Sequence, residues 1–235
     1  MAKRSVAPGM TPREKILGAG LLAVYLVVLP ASAAPLFDWI QHLSGAALSA
    51  GARSAAYYSI LFALTLAVFW GYFVRTTRAF LDHIGAVLGA AGIGLAAFYG
   101  LNEIVWRIMG MFSLTRTNLN DQAILAQMDD APCRTILVLV FLAPVVEEAV
   151  FRGYLFGNLR EVSRPAAYLV SGFFFALLHV WQFVVVLRDF SYLLVMAQYL
   201  IPGLVMAWTF ERSGSLWGSI LLHCIVNGLA VWQAV

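Results

Sequence analysis

Long apolar stretches dominate the sequence and restrict what the chain can fold into. A membrane-crossing helix needs roughly 20 mostly apolar residues. Seven segments meet or nearly meet this length: 16–36, 55–75, 79–101, 135–159, 165–187, 190–211 and 215–234. The chain is 62% hydrophobic and only 11% charged, whereas soluble domains carry about 25% charged residues. We therefore predict an all-α, polytopic transmembrane helix bundle of about seven spans, with six to eight as the range.

The segments between these spans are short. Residues 37–54 are semi-polar, which suggests a position along the membrane interface, and residues 102–134 form the only substantial polar connection. Gly85 and Gly89 are four residues apart in the third span, a spacing that favours close helix contact. We predict one continuous membrane domain, with N-terminal transmembrane helices and the polar connection in 1–134 and a catalytic core in 135–235.

Lysine and arginine residues indicate the orientation. If the N-terminus is cytoplasmic, nine of them lie on that side: Lys3, Arg4, Arg13, Lys15, Arg75, Arg78, Arg160, Arg164 and Arg212. Five lie on the other side: Arg53, Arg107, Arg116, Arg134 and Arg188. Cytoplasmic loops carry the excess of such residues, so we predict an integral membrane protein with a cytoplasmic N-terminus. Ala31-Ser32-Ala33 resembles a signal-peptidase site, but the length of the run and the spans after it favour a retained first helix.

The net charge of +3 is small and not clustered, so nucleic-acid binding, which needs a basic face, is not expected. The lipid bilayer and a substrate within it are the expected partners.

Three charged residues lie near the middle of the fourth predicted span. Each charge at a helix centre costs about 2.5–3.5 kcal/mol on insertion scales. Glu148 and Arg152 are four residues apart and share a helix face, so they can form an ion pair. Glu147 has no such local partner, which predicts a different role for it. A purely structural salt bridge is an equal alternative for Glu148 and Arg152.

Polar residues recur at the same depth in two further spans. His179 lies near the centre of the fifth predicted span, while His223 and Asn227 share one face of the seventh. Together with Glu147 they can converge into one polar pocket. Carboxylate and imidazole are general acid–base groups, and a second His with an Asn offers hydrogen bonds to an oxyanion. The same groups also suit zinc, although the HExxH spacing of many metalloproteases is absent.

The three motifs resemble those of the CPBP (CAAX-protease and bacteriocin-processing) family of intramembrane proteases, which includes the type II CAAX prenyl endopeptidases. EExxxR matches Glu147, Glu148 and Arg152; FxxxH matches Phe175 and His179; HxxxN matches His223 and Asn227. All three occur in the family's order, each in its own span, within about residues 135–230.

The resemblance implies the roles of these residues. Glu147 and His179 would activate a water molecule, His223 and Asn227 would stabilise the oxyanion, and Glu148, Arg152 and Phe175 would support them. It implies a glutamate-dependent endopeptidase that needs no cofactor, with zinc held by Glu147, His179 and His223 as the alternative.

The leading hypothesis is therefore an intramembrane endopeptidase that cuts a protein or peptide at or in the membrane. The resemblance leaves the substrate open, because family members cleave prenylated proteins, take part in peptide maturation, confer bacteriocin immunity or regulate other membrane proteins. The compact chain looks more like the bacterial members, which implies a bacterial plasma membrane. One alternative is a non-catalytic immunity or regulatory scaffold. Another is a proton-coupled transporter, because buried Glu and His also form proton relays, although the first three spans lack an inverted counterpart of the motifs.

Overall fold

A computed structural model describes residues 7–45, 47–114 and 116–234, which form eight helices and no strand. The predicted basic residues Lys3 and Arg4 lie outside the described residues. The helices are α1 (Pro12–Ser44), α2 (Ala50–Asp82), α3 (Ile84–Met111), α4 (Leu119–Asp130), α5 (132–160), α6 (Arg164–Leu187), α7 (Phe190–Ser213) and α8 (Leu216–Ala234).

The bundle has the predicted all-α, polytopic architecture. Among the described residues, six helices are long and apolar enough to cross a membrane: α1, α2, α3, α6, α7 and α8. Helix α5 coincides with the fourth predicted span but carries Glu147, Glu148 and Arg152 near its middle. These three charged side chains are buried against neighbouring helices and do not face lipid.

Two connections are more helical than predicted. Helix α1 continues to Ser44, so most of the semi-polar stretch 37–54 belongs to helices α1 and α2. Helix α3 continues to Met111, and the short polar helix α4 occupies much of the remaining connection. Asn118 accepts hydrogen bonds from the backbone at the start of α4 and so fixes where this helix begins.

The predicted close contact at Gly85 and Gly89 is wrong for this chain. A Cβ atom at either position would meet no atom within 4 Å. The close approach of α3 instead occurs at Gly94, where a Cβ would collide with the side chains of Thr209 in α7 and Leu222 in α8. The spacing of Gly85 and Gly89 therefore pointed to the wrong glycines of α3.

The two ends of the bundle differ in packing. At one end, where α1 begins and α2 ends, large side chains are fully buried, among them Phe69, Tyr72, Phe151, Phe156 and Phe210. Three ion pairs tie the helices there: Arg75 with Glu14, Lys15 with Glu161, and Arg164 with Glu211. The opposite end contains the cavity described next.

Candidate active site

A cavity of about 770 Å³ runs from the middle of the bundle toward one end. All four predicted catalytic side chains line it: Glu147 from α5, His179 from α6, and His223 and Asn227 from α8. Small-molecule pockets typically have volumes of about 300–1,000 Å³. Three motifs that are far apart in sequence thus meet in one space large enough for part of a peptide.

The amide of Asn227 fills a gap in the hydrogen bonding of α5. Residues Leu137–Leu142 form a π-helical turn, and the N–H that follows the turn bonds the carbonyl of Val138. The next backbone nitrogen belongs to Pro144, which has no N–H, so the carbonyl of Leu139 would lack a helical partner. Asn227 Nδ2 donates to this carbonyl at 2.8 Å. One amide hydrogen therefore joins α8 to α5, and the predicted oxyanion role rests on the other.

Glu148, Arg152 and His223 form a buried charged network. Glu148 and Arg152 are both 0% exposed, and Glu148 Oε1 lies 3.0 Å from Arg152 Nη1, as the i, i+4 spacing predicts. The same oxygen lies 2.9 Å from His223 Nδ1, which must donate because the carboxylate only accepts. Arg152 Nη2 also donates to the carbonyl of Gly203 at 3.0 Å. This network fixes the ring of His223 at the cavity wall.

Phe175 connects this network to the second histidine. The Arg152 guanidinium lies 4.3 Å from the centre of the Phe175 ring, within the range of a cation–π contact. The same ring lies 4.8 Å from the ring of His179 and 6.0 Å from that of His223. The buried aromatic ring therefore orients both histidines by packing.

Glu147 and His179 are neighbours in the cavity wall. His179 Nδ1 lies 2.8 Å from the carbonyl of Phe175 and must be the donor, which leaves Nε2 toward Glu147. Nε2 lies 3.9 Å from Glu147 Oε2, too far for a direct hydrogen bond. The other oxygen of Glu147 accepts a hydrogen bond from Tyr25 at 3.4 Å. Glu147 Oε2 and His179 Nε2 thus present one hydrogen-bond acceptor on each side of a gap.

Tyr199 stacks on His179 and ties it to α4. The two rings lie 4.4 Å apart at an angle of 21°. The Tyr199 hydroxyl accepts from Asn118 Nδ2 at 2.8 Å and from Asn120 Nδ2 at 3.2 Å, and it lies 3.3 Å from Asp121 Oδ1. Burial raises the pKa of the Asp121 carboxyl above its ordinary value, against the opposing hydrogen bond from Tyr199.

Sequence reasoning missed Tyr25 and Tyr199. Neither belongs to a motif, and a tyrosine in an apolar helix is ordinarily an interface or core residue. Only the fold brings their hydroxyl and ring to Glu147 and His179.

The predicted zinc ligands do not fit a metal site. Among residues 7–45, 47–114 and 116–234, no three His, Cys, Asp or Glu side chains are grouped so that they could hold a metal ion. Zinc needs nitrogen and oxygen ligands that converge within about 2 Å of one point, and no three of these described side chains meet that condition. The described side chains therefore offer a carboxylate and imidazoles for acid–base chemistry rather than a three-ligand metal site.

The sequence of this region matches a known family. Residues 130–229 match the model described as type II CAAX prenyl endopeptidase Rce1-like. The predicted resemblance to this family is confirmed. The Rce1-like region includes every residue of the three motifs and the whole buried charged network.

Two curated relatives support the resemblance to this family. The UPF0177 protein YxdF of Lactococcus lactis subsp. lactis (strain IL1403) is 28% identical over 159 residues, which are 67% of this chain and 81% of the relative. YdiL of Bacillus subtilis (strain 168), whose name describes a candidate membrane peptidase, is 31% identical over 122 residues, or 52% of this chain and 45% of the relative. No solved structure matches the chain. The chain is thus a membrane protein similar to CAAX-protease-like peptidases.

Proposed function

We propose that this protein is an intramembrane endopeptidase that hydrolyses peptide bonds of a membrane-associated protein or peptide. The observation that carries the proposal is the pairing of Glu147 and His179 in the wall of a large cavity, 3.9 Å apart. Both residues belong to the Rce1-like region. A buried carboxylate and an imidazole aimed at one gap suit the activation of water.

The gap fits a water molecule that donates both of its hydrogens. One hydrogen bonds Glu147 Oε2 and the other bonds His179 Nε2, because both atoms are acceptors in this arrangement. Polar groups separated by more than 3.5 Å are commonly bridged in this way. The lone pairs of the water oxygen are then free to attack a peptide carbonyl, and no serine or cysteine nucleophile is needed.

The proposed reaction proceeds in two proton transfers. The water oxygen attacks the carbonyl carbon while its proton passes to Glu147, which gives a tetrahedral oxyanion. His223, doubly protonated so that Nε2–H can donate while Nδ1–H bonds Glu148, and the second amide hydrogen of Asn227 stabilise that negative charge. When the C–N bond breaks, Glu147 returns the proton to the leaving nitrogen, and the products are a carboxyl end and an amino end.

Purified protein in detergent should cleave members of a fluorogenic peptide library that includes farnesylated CAAX peptides. Mass spectrometry of the products gives the position of the cut. If well-folded protein cleaves no peptide, the proposal loses its support, and a non-catalytic immunity or regulatory scaffold becomes the better account.

Removal of metal ions should leave cleavage unchanged. Because no three of the described His, Cys, Asp and Glu side chains are placed to hold a metal ion, we expect the same rate after dialysis against a strong zinc chelator. The measurement is kcat/KM before and after dialysis, with zinc added back as the control. A rate that is lost with the chelator and restored by zinc would show that the metal alternative is correct.

Tyr199 should act as a positioning residue for His179. Removing its ring in Tyr199→Ala is expected to lower kcat by up to about 100-fold with little change in KM, because small misplacements of a catalytic group are this costly. Tyr199→Phe keeps the stacked ring and should retain most activity. If Tyr199→Phe and Tyr199→Ala lose activity equally, the stacking contact is not what positions His179.

A further inference from the structure

Among the described residues, the cavity lining extends to one end of the bundle and not to the other. Its walls come from the second half of α1, the start of α2, the second half of α3, the whole of α4, the start of α5, the end of α6, the start of α7 and the end of α8. We call the end of the bundle that carries α4 the open end. Glu147, Phe175 and His223 line the cavity at the middle of their helices, so it extends from mid-depth to the open end.

The opposite end, which we call the basic end, is closed. It holds the start of α1, the α2–α3 turn, the α5–α6 connection and the α7–α8 turn, and none of these segments lines the cavity. Phe151 and Phe156 of α5 and Phe210 of α7 are buried on the side of Glu147 toward the basic end, each at most 1% exposed. Thr76 and Ser215 also bond each other across α2 and the α7–α8 turn. Packed side chains therefore separate Glu147 from the basic end.

The two ends differ in their basic residues. Among the described residues, the basic end carries seven lysine and arginine residues and the open end carries five; in the sequence, Lys3 and Arg4 precede α1. Acidic residues do not follow this distribution, since Asp38, Glu103, Asp121, Asp129, Asp130 and Asp189 belong to the open end. The bias of lysine and arginine toward the cytoplasm makes the basic end the cytoplasmic one.

We propose that the active-site cavity opens to the non-cytoplasmic face of the membrane. The inference about the substrate rests on the proposed endopeptidase function. The substrate is an extended peptide segment beside a membrane anchor on the outer side of the membrane. The wall suits such a segment, because Tyr57, Trp106 and Trp181 offer apolar surface next to the amides of Asn118 and Gln198. A peptide confined to the cytoplasmic surface meets the closed end instead.

Thiol labelling in intact bacterial cells tests this orientation. The native Cys133 is exposed at the start of α5, at the open end. In a Cys224→Ser protein, Cys133 is the reporter for that end. In a protein without native cysteines, Val162→Cys reports on the basic end, where Val162 is 88% exposed. Leu178→Cys, in the same cysteine-free protein, reports on the cavity beside the site.

A small membrane-impermeant thiol reagent should label Cys133 and Leu178→Cys in intact cells, and Val162→Cys only after permeabilisation. Labelling of Val162→Cys alone in intact cells would overturn the proposed orientation. Labelling of Cys133 without Leu178→Cys would show that the cavity does not open at that face. Because labelling needs no turnover, a failure here is distinct from a failure of the endopeptidase function, which only the peptide assay detects.

Discussion

Replacing Glu147 with glutamine is expected to lower kcat/KM for peptide cleavage by about 10²–10⁴-fold, the usual contribution of a general acid–base group. Glutamine has nearly the same size and can still accept the hydrogen bond that Tyr25 donates to Glu147. It cannot take a proton from water, so the attack on the carbonyl loses its base. The measurement is the rate of the purified variant on the best peptide of the library.

The matched control is Glu103→Gln. Glu103 is an exposed residue that pairs with Arg107 on α3, away from the cavity wall. This variant should cleave at the wild-type rate, and both variants should melt at nearly the wild-type temperature. Near-native cleavage by folded Glu147→Gln would show that another group activates the water.

Removing the guanidinium of Arg152 is expected to give the largest loss of stability, about 3–5 kcal/mol, because a buried charge is left without its partner. In Arg152→Ala, the carboxylate of Glu148 loses its cationic partner and keeps the hydrogen bond from His223, and the carbonyl of Gly203 loses its donor. The Phe175 ring also loses the cation that lies over it. The measurement is the free energy of unfolding in mixed detergent.

Two comparisons separate this effect from simple truncation. Arg107→Ala removes an exposed arginine from an i, i+4 pair of the same kind and should change the unfolding free energy little. The double variant Glu148→Leu/Arg152→Met removes both charges and should lose less stability than Arg152→Ala, because well-packed apolar pairs can replace buried ion pairs. If Arg152→Ala is as stable as wild type, the network does not hold the helices together.

The sequence predicted the helices and the depth of the polar residues well. Hydropathy specifies membrane spans directly, because every backbone polar group must be satisfied within a helix. The ion pair of Glu148 and Arg152 was also predictable, since residues four apart on a helix are neighbours. The convergence of His179 and His223 with Glu147 followed from their equal depth in separate spans.

The remaining contacts depend on how the helices rotate and cross, which hydropathy does not encode. The stacking of Tyr199 on His179 joins residues 20 positions apart through a turn between two helices. The bond from Asn227 to Leu139 depends on the local π-helical turn before Pro144. Gly85 and Gly89 show the same limit, because their spacing permitted a contact that the orientation of α3 does not make.

Identification of new peptide ends tests the central claim most directly. Wild-type protein, Glu103→Gln, Glu147→Gln and His179→Ala are reconstituted into liposomes and incubated with the same peptide library, and the products are sequenced by mass spectrometry. We predict that wild type and Glu103→Gln generate the same new amino and carboxyl ends, and that both disappear with Glu147→Gln and with His179→Ala. The same ends at wild-type yield from the two site variants would contradict hydrolysis by water held between Glu147 and His179.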